Sequence, residues 1–433
     1  MQGLETFLLI GMIIFIGFFA SILFERTKIS DVLLLMLVGI FVGNFLRGQY
    51  ATVIQIFEGA APIVGTIALI IILFDGGIDL NVFRAFSELS TATWFTFVNF
   101  VASAAFSAVL AIGVFGWHPL HALLLGTIIG GTSSAMVLGL MPKIKADEET
   151  KTILALEAAL TDALCVVFTI TIIQLINTPG EFDASFAANQ LFGSFAIAAV
   201  MALVAGAAWA KTMYNYRGKP FGYMLSMAAV FMLYWAVEAV KASGAIAVLV
   251  FGLFLGNWNE LAKMFRSQEG FELDEIFRSF QTEVTFFVRT FFFVYLGIVF
   301  SLEALKLDFP PAGLATAEWL RQFASNLPVA ALLLLGLLVL ARMIGTAVLL
   351  RVKKQLAKDK PLLVFVLPRD LAAAVLATLP AANGITLPGL VELVFLVILL
   401  TNVVATLGVF FHQKSGTPTP QAAAGKPRIV RDS

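Results

Sequence analysis

The sequence predicts an all-α polytopic membrane protein with thirteen transmembrane helices, and three observations carry that prediction. Sixty per cent of the 433 residues are hydrophobic and only 13% are charged, far from the balance of a soluble chain. Apolar runs recur from end to end, many near the ~20 residues that cross a hydrocarbon core. The basic residues between those runs segregate by side, as a threaded chain requires.

Read between polar breaks, the spans lie at 4–24, 31–46, 62–82, 91–114, 120–140, 151–176, 187–210, 220–240, 243–256, 280–301, 327–350, 361–382 and 388–411. The first lacks a basic leader and a small-residue cleavage site, so it reads as a span rather than a signal peptide. With the N-terminus outside and the C-terminus cytoplasmic, the outer loops hold only Arg47, Lys241, Lys306 and Arg321. Arg289, Arg342 and Arg369 fall within spans, and the remaining basic residues gather on the cytoplasmic side. One span more or fewer would mix the two sets. Residues 1–412 are therefore expected to form one transmembrane domain of a multi-pass plasma-membrane protein. Residues 413–433, rich in Gly, Pro, Ala and basic side chains, are expected as a short disordered cytoplasmic tail. Zero net charge argues against a nucleic-acid partner, and the single Cys165 can form no internal disulfide.

Acids occur at membrane depth as well: Asp75, Asp79, Glu157, Asp162, Glu238, Glu283 and Asp370. Each ionised group there costs on the order of 2.5–3.5 kcal/mol unless paired or solvated. A scaffold needs none of them. The pattern points to a transport path rather than to an enzyme.

Two spans are interrupted. The fifth reads HALLLGTIIGGTSSAMVLGLM, where Gly130-Gly131 weaken the helix and Thr132, Ser133 and Ser134 can satisfy freed backbone or face a cation. The twelfth reads PLLVFVLPRDLAAAVLATLPA, where Pro368 removes a helix hydrogen bond and Arg369-Asp370 follow at once. Close packing or a simple kink would explain either break alone. The two together, seven spans apart, predict two inverted six-helix repeats, spans 1–6 and 8–13, joined by span seven.

The sixth span, TKTILALEAALTDALCVVFTITIIQ, carries two carboxylates on neighbouring faces. Asp162 shares a face with Ala158, and Glu157 shares one with Thr161, about 100° round. A carboxylate at that depth can be neutralised by a proton or by a metal cation, not comfortably by both. That competition with alternating access suffices for obligatory exchange. Oxygen-only donors suit hard cations such as Na⁺, and His118, His121 and His412 read as interfacial residues. Asp75, in IIILFDGGIDL, reads equally as a site residue or a loop-end acid. A guanidinium stays charged, so the arginines are fixed counter-charges. Arg342 is expected to hold Glu157, Arg369–Asp370 to neutralise its own break, and Arg289 to sit near Glu283.

These segments together resemble the monovalent cation–proton antiporter superfamily, specifically its NhaP-like Na⁺/H⁺ exchanger branch. The resemblance rests on LLMLVGIFVG, LFDGGIDL, GGTSSAMVLGLM, LEAALTDAL, FFFVYLG, the Ala-Arg of span eleven and LPRDLAAAVLA, which cover nearly the whole membrane domain. It implies the NhaA/NhaP-like fold with two crossed discontinuous helices, a homodimer, and an elevator movement of a core against a dimer domain. The branch's sixth helix commonly reads Glu-Ser-x-x-Asn-Asp; here it reads Glu157-Ala158-Ala159-Leu160-Thr161-Asp162. Asp162 thus matches the ion- and proton-binding carboxylate, Glu157 the residue braced by an arginine, and Asp75 an accessory ligand of some relatives. Ala158, Thr161 and the Ser-rich break depart from the pattern, and a lone Asp in place of Asp-Asp implies electroneutral exchange.

The expectation is therefore a secondary antiporter, active in pH homeostasis, exchanging Na⁺ or Li⁺ for H⁺. Asp162, Thr161, Thr132, Ser133, Ser134 and Asp75 would hold the ions, with Na⁺ at Asp162, Thr132 and Asp75. No cofactor is expected beyond the transported ions; the partners are membrane lipid and a second copy. The competing readings on the same fold are a K⁺/H⁺ antiporter and a K⁺ efflux system or channel; the short tail disfavours only the latter, which is expected to carry a large cytoplasmic regulatory domain. An organic-anion symporter fares worse, because the buried positive groups are matched by acids.

Overall fold

The computed structural model describes residues 11, 14–20, 22–23, 31–49, 51–79, 91–134, 136–137, 144, 146–177, 184–215, 222–264, 275–311 and 315–415. The start of the 4–24 run and the tail from residue 416 onward lie outside the described residues. Every regular element among the described residues is helical.

In chain order the helices are α1 (Asp31–Gln49), α2 (Ala51–Asp79), α3 (Thr91–Phe115), α4 (Pro119–Ile128), α5 (Glu148–Asn177), α6 (Ala184–Asn215), α7 (Gly222–Ala239) and α8 (Gly244–Gly256). They continue as α9 (Trp258–Met264), α10 (Glu275–Val299), α11 (Thr316–Ala324), α12 (Leu327–Val352), α13 (Lys360–Phe365), α14 (Leu371–Ala382) and α15 (Leu390–Ser415). Seven stretches among the described residues are long and apolar enough to cross a membrane: Ala92–Phe115, Glu148–Asn177, Gly193–Asn215, Gly222–Ala239, Ser279–Val299, Leu327–Val352 and Leu390–His412. Shorter apolar helices lie at Val32–Asn44, Ile63–Ile78, Pro119–Ile128, Gly244–Gly256 and Leu371–Ala382. Large apolar side chains point outward from several of them. Phe41, Met232 and Trp235 are each more than 70% exposed, an arrangement water would penalise and lipid accepts.

Small residues let the helices approach. A Cβ on Gly39 of α1 would sit 2.3 Å from Val294 O of α10, and one on Gly252 of α8 would sit 2.5 Å from Phe74 O of α2. A second group packs α3 against α4 and α12, α4 against α5, and α13 and α14 against α15. At one end of this group, Phe95, Met136, Val137, Leu154, Leu349, Leu363 and Val366 form a separate apolar cluster.

Candidate functional site

Both sequence breaks are breaks in the structure. Helix α4 stops at Ile128, residues 129–133 leave helical geometry, and helix resumes at Ser134. Helix α13 stops at Phe365, residues 366–370 run non-helically past Pro368, and α14 begins at Leu371. The two unwound segments meet directly: Ser133 N donates to Pro368 O at 2.8 Å. Sequence periodicity could locate each break, but not their contact.

Interrupting a helix leaves carbonyls without donors at one end and N–H groups without acceptors at the other. Here each of the four ends meets a charged side chain of the complementary sign. Arg369 Nε donates to Ile129 O at 2.6 Å, closing the C-terminal end of α4. Arg342 donates to Leu363 O at 2.8 Å and Val366 O at 3.0 Å, closing α13. Asp370 accepts from Ala372 N at 3.3 Å as the N-cap of α14. Asp162, from α5, accepts from Ser134 N at 3.2 Å, where the first broken span restarts. Two arginines and two aspartates replace the hydrogen bonds that the breaks remove.

This geometry corrects one expectation. Arg369 and Asp370 do not serve their own break alone, where Arg369 Nη1 donates to Leu367 O at 3.0 Å and Asp370 caps α14; each also reaches the other one. Arg369 Nη1 donates to Thr132 Oγ1 at 3.3 Å, and Ser133 Oγ donates to Asp370 Oδ2. The backbone at Arg369 is steadied by α15, whose Asn402 Nδ2 donates to Arg369 O at 2.6 Å and whose Thr401 Oγ1 accepts from Arg369 N at 3.2 Å. Sequence reading missed these two residues. An amide in the otherwise apolar LVILLTNVV was the signal available.

The Glu157–Arg342 expectation matches the structure. Arg342 Nη1 donates to Glu157 Oε1 at 2.6 Å, and both side chains are buried. Thr132 Oγ1 donates to the same oxygen at 3.0 Å, so the pair also holds the first break. The Phe95 ring lies 4.9 Å from the guanidinium carbon and covers it. Thr161, fully buried, accepts from Thr132 N at 3.0 Å, and its hydroxyl lies 3.1 Å from Ala158 O.

Asp162 differs from these groups. It is half-buried where Glu157, Thr161, Thr132, Ser133, Arg342, Arg369 and Asp370 are buried. Both its hydrogen bonds among the described residues fall on one oxygen: Ser134 Oγ donates to Oδ2 at 2.6 Å beside the Ser134 N–H. Among the described residues, Oδ1 accepts no hydrogen bond. Of the three break hydroxyls, then, Ser134 faces Asp162, Ser133 serves Asp370, and Thr132 serves Glu157 and Arg369.

Asp75 meets a different fate from the one expected. Its two oxygens accept from Gln281 Nε2 and, at 3.0 Å, from Thr285 Oγ1, both on α10. It therefore joins a polar contact between α2 and α10 rather than the donors around Asp162. Arg289 is half-buried on α10, and Glu283, on the same helix, is exposed.

The chain can now be set beside known proteins. The transmembrane sodium/hydrogen exchanger profile matches residues 11–412. The K⁺/H⁺ antiporter NhaP2 of Shewanella sp. (strain MR-4) is 28% identical over 268 residues, 59% of this chain. The chain spans less than half, 45%, of the length of that relative. The Na⁺/H⁺ antiporter 1 of Methanocaldococcus jannaschii is 26% identical over 380 residues, covering 85% of this chain and 81% of that protein. The solved structure of the sodium proton antiporter MjNhaP1 from M. jannaschii at pH 8 superposes with a TM-score of 0.72. It covers 94% of this chain and all of that one at 21% identity, a likeness of fold. With the profile running through nearly every helix, both breaks and the Glu157–Asp162 segment, the chain belongs to the sodium/hydrogen exchanger family, a family of multi-pass cation/proton antiporters.

Proposed function

We propose that this protein is a secondary antiporter exchanging Na⁺ or Li⁺ for H⁺, with Asp162 as the carboxylate for which the two ions compete. One observation carries the reading. Alone among the acids of the crossing, Asp162 is half-buried, and among the described residues its Oδ1 accepts no hydrogen bond. Its neighbours supply oxygens only: the Ser134 and Thr161 hydroxyls, Thr132 and freed backbone carbonyls, a donor set for a hard monovalent cation. Glu157, Arg342, Arg369 and Asp370 are occupied with one another's broken helices and act as the fixed frame. Ser133 belongs to that frame through Asp370.

Exchange needs each occupant to leave before the other enters and the loaded site to open to one side at a time. One carboxylate alternating between one proton and one monovalent cation gives electroneutral one-for-one exchange. The reading includes thirteen spans in two inverted repeats, an outside N-terminus, a plasma-membrane location and a homodimer, with membrane lipid as the surrounding partner. The relatives divide by name between Na⁺ and K⁺, so K⁺ is the competitor to measure.

Purified protein in liposomes, challenged with Na⁺, Li⁺ and K⁺ at several pH values, tests the proposal. Cation-driven dissipation of a pH gradient, unchanged when the membrane potential is clamped at different values, is expected. Asp162→Asn should abolish it. Retained exchange in a correctly folded Asp162→Asn protein would overturn the assignment.

A further inference from the structure

One group of buried polar atoms is used by none of this. On α3, both amide atoms of Asn99 are buried without a hydrogen-bond partner among the described residues, and so is the Thr346 hydroxyl on α12. Glu157 Oε2, the oxygen that neither Arg342 nor Thr132 takes, is in the same condition. Asn99 is 3% exposed, Thr346 0% and Glu157 1%, so bulk water reaches none of them. Such atoms each carry a desolvation cost unless something inside the protein satisfies them.

These atoms belong to one neighbourhood. The Asn99 side chain lies flat against Gly345, where a Cβ would stand 1.9 Å from Asn99 Oδ1. Thr346 is the next residue and lies four after Arg342, hence on the same face of α12. Phe95, which covers the Arg342 guanidinium, lies four before Asn99 on the same face of α3. Asn99 and Thr346 therefore lie about one helical turn along α3 and α12 from Phe95 and Arg342, the residues that meet at the Glu157 ion pair.

The chemistry selects the occupant. Asn99 offers two donors and an acceptor, Thr346 one of each, and Glu157 Oε2 an acceptor. The ion pair beside them is already balanced, and the guanidinium repels a further cation. A small neutral molecule that both donates and accepts is the match. We propose that Asn99 and Thr346 form a buried water seat reaching Glu157 Oε2, and that Asn99 is thereby a positioning residue for cation binding. Water in the seat holds Oε2, which leaves Oε1 aimed at Arg342 and Thr132 and so fixes the break that presents Ser134 to Asp162. This rests on the antiporter reading for its effect on transport, but not for the water itself.

Two measurements decide it. Asn99→Leu fills the seat with hydrocarbon, and the apparent KM for Na⁺ (or K⁺) should rise about tenfold in liposomes, with kcat changing far less. Asn99→Ser, which keeps a polar group and leaves room for one more water, should recover most of that loss. A residue that merely packs would not show this split or this rescue. Unchanged KM in a folded Asn99→Leu protein overturns the proposal. Independently of transport, a high-resolution cryo-EM map of the wild type in lipid should show ordered density between Asn99, Thr346 and Glu157 Oε2. Direct protein contacts there, with no such density, overturn it too. If the wild type moves no protons in response to Na⁺ or K⁺, the antiporter reading fails while the density still decides the seat.

Discussion

Arg342 and Glu157 stand 2.6 Å apart with 3% and 1% of their side chains exposed, and together they join α5, α12 and α13. Breaking such a pair from one side strands the other charge without water. Glu157→Ala or Arg342→Met alone should each cost about 3–5 kcal/mol, whereas the double variant should cost well under the sum. Thermal unfolding in detergent across the four proteins of the cycle measures this. Equal additivity would mean that the two charges are satisfied elsewhere.

Thr161 is a bridge between helices. Its hydroxyl accepts from the buried Thr132 N–H at 3.0 Å. Thr161→Val keeps the shape and strands that donor, at about 1–3 kcal/mol. Thr161→Ser should restore both stability and transport. Because the same hydroxyl faces the break beside Asp162, the ratio of Na⁺ to K⁺ half-saturation should also move in Thr161→Val, read from concentration series in liposomes.

Gly131 lets the first break lie against α5. A Cβ there would come within 2.6 Å of Cys165 Sγ and 3.1 Å of Thr161 O. Gly131→Ala should cost about 1–3 kcal/mol as an overpacked contact. Cys165→Ala in the same protein should recover part of the loss by removing the nearer atom, leaving the carbonyl as the remainder. Melting temperatures of the single and double variants make the comparison.

Outside the spans, Lys358 Nζ donates to Asp147 at 3.0 Å, joining the segment before α5 to the connection between α12 and α13. That bond, helped by the Glu149 N–H, holds the Asp147 carboxyl below its ordinary range. A carboxylate depressed in this way contributes stability above its unfolded value, about 3.9, and loses it as pH falls through the lower folded value. Lys358→Met should therefore melt earlier than wild type at pH 7, by a margin that closes as the pH falls below the carboxylate range. The effect should be small, since the pair is exposed and screened by salt. A margin independent of pH would assign the loss to the lysine's packing instead.

Much of this was legible before any coordinates. Helix breaks are written in local chemistry, so Gly130-Gly131 and Pro368 marked them within a few residues. Asp162 and Glu157 stood out because a charge in an apolar helix must have a purpose or a partner. Partners across the bundle were less legible. Arg342 could be matched to Glu157 because few buried charges remained to choose from. Adjacency in the chain assigned Arg369 and Asp370 to their own break and could not show that each also reaches across to the other. Asp75 misled for a related reason: its helix carries it to α10, and nothing local in LFDGGIDL reveals which neighbour it will find. Asn402 and Asn99 were overlooked because uncharged amides raise little alarm in a hydrophobic window, although burial makes their hydrogen bonds as exacting as those of charges.

The Ser134 N–H and hydroxyl both lean on one oxygen of Asp162. The acid that would receive cargo is thus also a fastener at the start of a half-helix. Loading it with a proton or a metal ion weakens the fastening at the moment the site fills, because a neutralised carboxylate attracts that helix end less. Occupancy and backbone posture are then a single variable, and cargo needs no separate messenger to announce its arrival.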